Sequence, residues 1–185
     1  MSETNLRWAT FTQIAGGAGS AMFNKYEIDN DELSQKADHL KGKSSTASWR
    51  IGVEFEPSAV PNFSFGGGYI GKDLNYFDLN FKENHLRAHG YFLRLGTSLK
   101  SEGYKKNSPF QFINSGVEAG QSWRTKGDEP SSIKSLGVFI DGGVCGKPDG
   151  FCIGAGGQFS LHDGKNDLVA LMDASLSLKV SKRFE

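Results

Sequence analysis

The 185-residue sequence has no run of about 18 consecutive apolar residues, so no helix in it can cross a membrane. It has no excess of either charge: 21 Lys+Arg stand against 21 Asp+Glu, which removes any net-charge attraction to nucleic acid. Proline is scarce, at 5 residues, while glycine reaches 24. The glycines fall inside alternating segments, so their number is not a signature of disorder. The opening MSETNLRW has neither a basic stretch nor an apolar one, so no signal peptide is visible. A cytosolic protein and a mature chain given a starting Met both remain open on that evidence. Two cysteines without a neighbouring histidine make half a metal site at best, and no metal or cofactor is expected.

What is present is a period of two. In SSTASWRIGVEFEPSAVPNFSFGGGYIG, Trp49, Ile51, Val53 and Phe55, then Phe63, Phe65 and Tyr69, alternate with small or charged residues. The same alternation predicts a first strand around Leu6–Ile14 and further strands over about 46–56, 62–81, 85–99 and 110–123. Two more strands flank VCGKPDGFCI, and a long final strand runs over 168–184. Residues 24–45 read as a long polar loop, and 82–84, 100–109, 124–132 and 162–167 as connections. Eight strands in sequence, with no protected edge, predict one domain over 1–185: an all-β, eight-stranded antiparallel up-and-down barrel. A sandwich of the same strands is the alternative.

Pro148 and the Asp149-Gly150 pair are turn chemistry, and centring the turn there sets the register of its two strands. Cys145 then faces Cys152, Val144 faces Ile153 and Val138 faces Phe159, with the cysteines on the face opposite the apolar one. That placement predicts a cross-strand disulfide and an oxidising compartment; two free thiols are the alternative.

The two faces differ in kind. One carries Gly52, Gly66, Gly68, Gly96, Gly116 and Gly154 with Arg50, Arg94 and Lys179 against Glu54, Glu56, Glu118, Asp141 and Asp173. Glycine weakens a strand, so its concentration on one face points to crowding there. The other carries Trp8, Trp49, Phe55, Phe63, Phe65, Tyr69, Tyr91, Trp123 and Phe159 besides many aliphatics. Each such group facing water costs roughly 1.5–3 kcal/mol relative to burial, and facing lipid costs nothing. The expectation is therefore an outward belt of bulky groups and a lumen filled by small residues and a network of paired charges. A narrow pore lined by those charges is the alternative.

PFQFINSGVEAG, LGVFIDGGV, CIGAGGQFSL and LMDASLSLKVSKRF are Gly-rich alternating strands, the last ending in an aromatic. In this the chain resembles the small eight-stranded outer-membrane barrels of Gram-negative bacteria, the OmpA-transmembrane-domain and OmpX type. The resemblance implies a monomer in outer-membrane lipid. It puts both termini, PSAVP, 100–109 and the cysteine turn in the periplasm, and 24–45, 82–84, 124–132 and 162–167 outside. The outer loops would then do the work: adhesion, contact with host or surface ligands, or envelope structure.

Two other readings are carried. One is a soluble lipocalin-like barrel holding a hydrophobic ligand among Trp49, Phe63, Phe65, Tyr69 and Tyr91. The other is a lipid-modifying barrel enzyme using His162 or His89, suggested by Ser160, His162 and Asp163 in SLHDG. Against it, residues two apart on a strand lie about 6.5–7 Å apart, too far for a nucleophile and its base. DNDE at Asp29–Glu32 lacks the glycine and distal Glu of a calcium loop. FGGGYIG has no Lys-Ser/Thr or helix after it and is no phosphate loop.

Overall fold

A computed structural model describes residues 6–24, 27–29, 32–34, 39–57, 59–60, 62–77, 83–101, 109–125, 132–147, 150–163 and 168–184. Every regular element among them is a strand: β1 (Leu6–Asn24), β2 (Glu27–Asp29), β3 (Glu32–Ser34), β4 (His39–Pro57), β5 (Phe63–Phe77), β6 (Glu83–Lys100), β7 (Phe110–Arg124), β8 (Ser132–Cys145), β9 (Phe151–Asp163) and β10 (Leu168–Phe184). β2 and β3 form a separate two-stranded hairpin between β1 and β4. The other eight strands close a barrel in which each pairs antiparallel with its neighbours and β1 joins β10.

The register sets the barrel's shape. Following paired residues around the wall, Thr10 faces Val53, Val53 faces Gly67, and the path continues through Leu93, Ala119, Leu136, Leu161 and Met172 to Ser20. It returns to β1 ten residues from its start, a displacement of about 33 Å along the strand against a width of about 38 Å measured across the eight strands. Their ratio tilts the strands by about 40°, within the usual range for closed barrels, and leaves a lumen just wide enough for side chains.

Sidedness follows the alternation. Leu93, Leu95, Val117, Val138, Ile140, Ile153, Leu176, Leu178 and Val180 project outward and are exposed, Leu176 at 78%. Arg50, Arg94, Glu118, Asp141 and Lys179 project inward and are at most 3% exposed. A water-soluble monomer does not present so large a continuous apolar surface while burying its charges. On β10 the outward residues from Ala174 to Phe184 rise about 25 Å along the axis at that tilt, the height of the apolar band of a membrane barrel. Rings bound the belt at both ends. Trp49, Tyr69, Tyr91 and Trp123 touch in series, with centroids 5.6, 5.6 and 6.0 Å apart. At the opposite end Trp8 stacks on Phe184 and Phe55 on Phe65. Glycine permits one close approach in the girdle of Trp49: a Cβ on Gly71 would lie 2.4 Å from the Trp49 indole, so the ring packs against a bare stretch of β5.

Several boundaries differ from the sequence reading. β1 runs on to Asn24 and β4 begins at His39, so much of the expected 24–45 loop is strand. β5 ends at Phe77 and β6 begins at Glu83, inside the expected 82–84 turn. β9 includes His162 and Asp163. The extension of β4 is polar and continues the hydrogen-bonded ladder beyond the belt, where apolar alternation is no longer required, whereas that of β1 is built mostly of small residues. Residues 30–31, within DNDE, lie outside the described residues.

The cysteine hairpin has the expected register: Cys145 faces Cys152, Val144 faces Ile153 and Val138 faces Phe159. Cys145 and Cys152 form a disulfide. Both are buried in the lumen against Phe110 and Phe112.

Leu178→Arg, near the middle of the belt, is expected to lower the unfolding free energy in bilayers by about 2–4 kcal/mol, read by denaturant titration of lipid-folded protein. The double variant Cys145→Ser/Cys152→Ser is expected to lose about 2 kcal/mol in the same titration while keeping the folded electrophoretic mobility, because the bridge closes only a short loop.

Candidate functional site

The lumen is filled in three tiers. The middle one centres on Glu118. Its Oε2 accepts from Arg94 Nε at 2.6 Å, and its Oε1 accepts from Arg50 at 3.3 Å and from Gln158 Nε2 at 2.9 Å. Arg50 also donates to Gln158 Oε1 at 2.7 Å, and Arg94 to Gln13 Oε1 at 2.9 Å. Below, Lys179 Nζ donates to both Glu54 oxygens at 2.6 and 2.8 Å and to Asp141 at 3.1 Å. Arg94 lies 3.6 Å from Asp141 and 3.8 Å from Glu54, linking the two groups. The cations Arg50, Arg94 and Lys179 thus meet the anions Glu54, Glu118 and Asp141, three against three. Buried charges are tolerated when paired and hydrogen-bonded in this way.

Aromatic rings pack the same level from inside. Phe11, Phe92 and Phe139 are buried, and the Arg94 guanidinium lies 4.5 Å from the Phe139 centroid and 5.5 Å from those of Phe11 and Phe92. Lys179 Nζ lies 4.6 Å from the Phe11 centroid. These are cation–π distances, and they fill space between the charges with apolar matter. A Cβ on Gly52 would come within 2.9 Å of the Phe11 ring, so that glycine makes room for it.

At the end bearing both termini, Glu56 accepts from Ser98 at 3.0 Å and pairs with Lys100 and Arg183. At the other end, His162 Nε2 lies 3.3 Å from Asp173 Oδ2, and Lys72 Nζ donates to Ser135 at 3.3 Å.

Of the eight charges expected to form one network, Arg50, Glu54, Arg94, Glu118, Asp141 and Lys179 come together in the middle tier. Glu56 lies in the tier at the termini and Asp173 in the tier opposite. The sequence reading missed Gln13, Gln158, Lys72, Lys100 and Arg183, and the inward rings Phe11, Phe92 and Phe139. Parity could have found them: Lys72 shares its face with Gly66 and Gly68, Lys100 with Arg94 and Ser98, Arg183 with Lys179, and Phe11 with Arg7.

Trp49, Phe65 and Tyr91 are exposed on the outer wall, and Phe63 and Tyr69 share that face. The hydrophobic cup of the lipocalin reading is therefore not formed inside the barrel. His89 stacks on Tyr69 on the outer wall. His162 points inward and meets Asp173, and its Nδ1 has no hydrogen-bond partner among the described residues. Ser160 Oγ accepts from Gln158. Among the described residues no serine is thus engaged by that imidazole, and the arrangement does not build a nucleophile–base pair.

Closure by eight strands, a ten-residue shear, an apolar girdled exterior and an ion-paired interior define the architecture of a transmembrane β-barrel, as the sequence resemblance implied. No protein-family model matches the chain, and no curated protein matches it. Among solved structures it is similar to Neisserial surface protein A, with 15% identity over 94% of this chain and 97% of that one and a TM-score of 0.43. It is similar also to the outer membrane protein OprG from Pseudomonas aeruginosa, with 10% identity over 95% and 96% and a TM-score of 0.49. A third is Ail, the attachment invasion locus protein of Yersinia pestis, with 13% identity over 95% and 98% and a TM-score of 0.34.

Glu118→Ala leaves Arg50 and Arg94, both 3% exposed, without their shared carboxylate. A loss of about 3–5 kcal/mol in unfolding free energy is expected. Glu56→Ala, at the more open mouth, is expected to cost less in the same measurement.

Proposed function

We propose that the chain is a monomeric outer-membrane β-barrel with a plugged lumen, non-enzymatic, acting through the loops that join its strands at the end away from the termini. The observation that carries this reading is the inversion of sidedness: bulky apolar groups ring the outside while Arg50, Arg94, Lys179, Glu54, Glu118 and Asp141 neutralise one another inside. Lipid accepts the first surface, and the second leaves the wall no need of an aqueous channel. The strands themselves supply a rigid scaffold, so the work falls to the connections they present: adhesion, surface interaction or envelope structure. In this orientation the termini, 57–61, 100–109 and the cysteine turn face the periplasm.

The reading is tested by folding the denatured chain with and without detergent. It is expected to fold only with detergent or lipid, to migrate differently on gels before and after heating, and to give no sustained conductance in planar bilayers. Soluble monomer without detergent would overturn the membrane assignment, and steady ion current would overturn the plug. Replacing 25–38 with a short linker is expected to abolish surface attachment by displaying cells while heat-modifiable migration is kept.

A further inference from the structure

On the outer wall at the loop end, β5 and β6 climb out of the belt in paired rows. Tyr69 faces Tyr91, Gly71 faces His89, Asp73 faces Arg87 and Asn75 faces His85, all with outward parity. Each row stands two residues beyond the last, about 5 Å along the axis at the strand tilt. The chemistry changes over one such step. Trp49 and Trp123 flank the Gly71–His89 row and belong to the aromatic girdle. In the next row Arg87 Nε donates to Asp73 Oδ1 at 2.9 Å. His85 approaches Asp73 Oδ1 through Nε2 at 3.4 Å and Asn75 Oδ1 through Nδ1 at 2.5 Å. On β4, Ala47 and Ser45 stand opposite Asp73 and Asn75, so short side chains leave the flank of this polar shelf open. The outer wall at the other end is different: Lys182 is the one charged residue that faces outward there among the described residues.

The groups on the shelf select an occupant. A guanidinium has five N–H donors in a fork that matches phosphate, and Arg87 gives Asp73 its Nε alone. A bare phosphate would meet the Asp73 carboxylate and be repelled. A phosphate carried on a sugar would not, because the sugar hydroxyls donate to Asp73 and Asn75 while the phosphate takes the fork of Arg87. The C–H face of a sugar ring is apolar, and the rings of Trp49 and Tyr91, both exposed, offer it a surface directly below. Height selects a lipid over a soluble sugar. The Asp73–Arg87 row stands about 5 Å beyond the girdle, where a headgroup sits when its acyl chains lie along the belt.

We propose that this shelf is a docking site for a lipid with a phosphorylated sugar headgroup, seated in the leaflet on the loop side. Arg87 holds the phosphate, Asp73, Asn75 and His85 meet the hydroxyls, and the girdle rings support the sugar. The inference rests on the membrane reading above and names one lipid class for one face of the wall.

The test is a competition on the full chain folded into phosphatidylcholine nanodiscs. The discs also hold, in equal amounts, a bisphosphorylated glucosamine-disaccharide lipid, the same lipid with its phosphates removed, and phosphatidylglycerol. Lipid kept by the chain on release from the disc is counted by native mass spectrometry. The bisphosphorylated glycolipid is expected to be kept about tenfold over each rival, the worth of one hydrogen bond to a charged group. Arg87→Gln is expected to bring that ratio to parity with heat-modifiable migration kept, while Lys134→Gln, at an exposed cation on β8, leaves it unchanged. Equal retention of phosphatidylglycerol would reduce the site to a general attraction of charge and overturn the proposal. Equal retention of the dephosphorylated lipid, or the same loss in Lys134→Gln, would overturn it too. Should Arg87→Gln fail to fold, Asn75→Ala/His85→Ala is expected to lower the ratio in the same count, and an unchanged ratio there counts against the site. A chain that never enters the discs refutes the membrane reading and this inference with it; a chain that folds in them without preferring the glycolipid refutes this inference alone.

Discussion

Hydrocarbon offers no hydrogen bond to a peptide group, and the rest of this structure follows from that constraint. A sheet in such a solvent cannot keep an open edge, so β1 must find β10 and the eight strands must close. Closure with a ten-residue shear settles the circumference. The circumference settles the lumen, and the lumen leaves room for side chains alone. The residues that fill it are therefore chosen by volume and by mutual neutralisation rather than by access to water. Glu118 sits at the point of greatest demand, shared between two guanidiniums and an amide.

The interior is neither a uniform polar filling nor a hydrophobic core. Charged groups supply specificity of pairing, and Phe11, Phe92 and Phe139 supply the dense packing that ions with fixed geometry cannot. The guanidinium of Arg94 serves both, being hydrogen-bonded at its edge and covered on its faces. Because the tiers at the two ends use different residues, the mouths of the barrel can differ in chemistry without disturbing the centre.

Much of this was legible in the sequence. The dyad alternation revealed the strands and their outward face. The turn at Lys147–Gly150 by itself set the register of β8 and β9 from Cys145–Cys152 down to Val138–Phe159. What escaped the reading has physical reasons. Phe11, Phe92 and Phe139 are hidden among the many bulky residues of the lipid face, because parity and not bulk decides which way a strand residue points. The tiering escaped because it depends on shear, which arises only when all eight registers are summed; no single strand shows that Glu56 and Asp173 lie apart from Glu118. The extension of β4 escaped because polar strand and polar loop look alike once no membrane demands alternation, and that of β1 because residues 15–21 carry no large side chain to mark a face.

The cysteine bridge carries a consequence for the order of events in the life of the chain. Both sulfur-bearing residues are 1% exposed, turned into the lumen and covered by Phe110 and Phe112. The finished wall shields them from oxidants and reductants in bulk solution. Thiol chemistry is favoured while the hairpin is still open to its surroundings. From then on the bond is a sealed record of the compartment through which the polypeptide passed before it entered the bilayer.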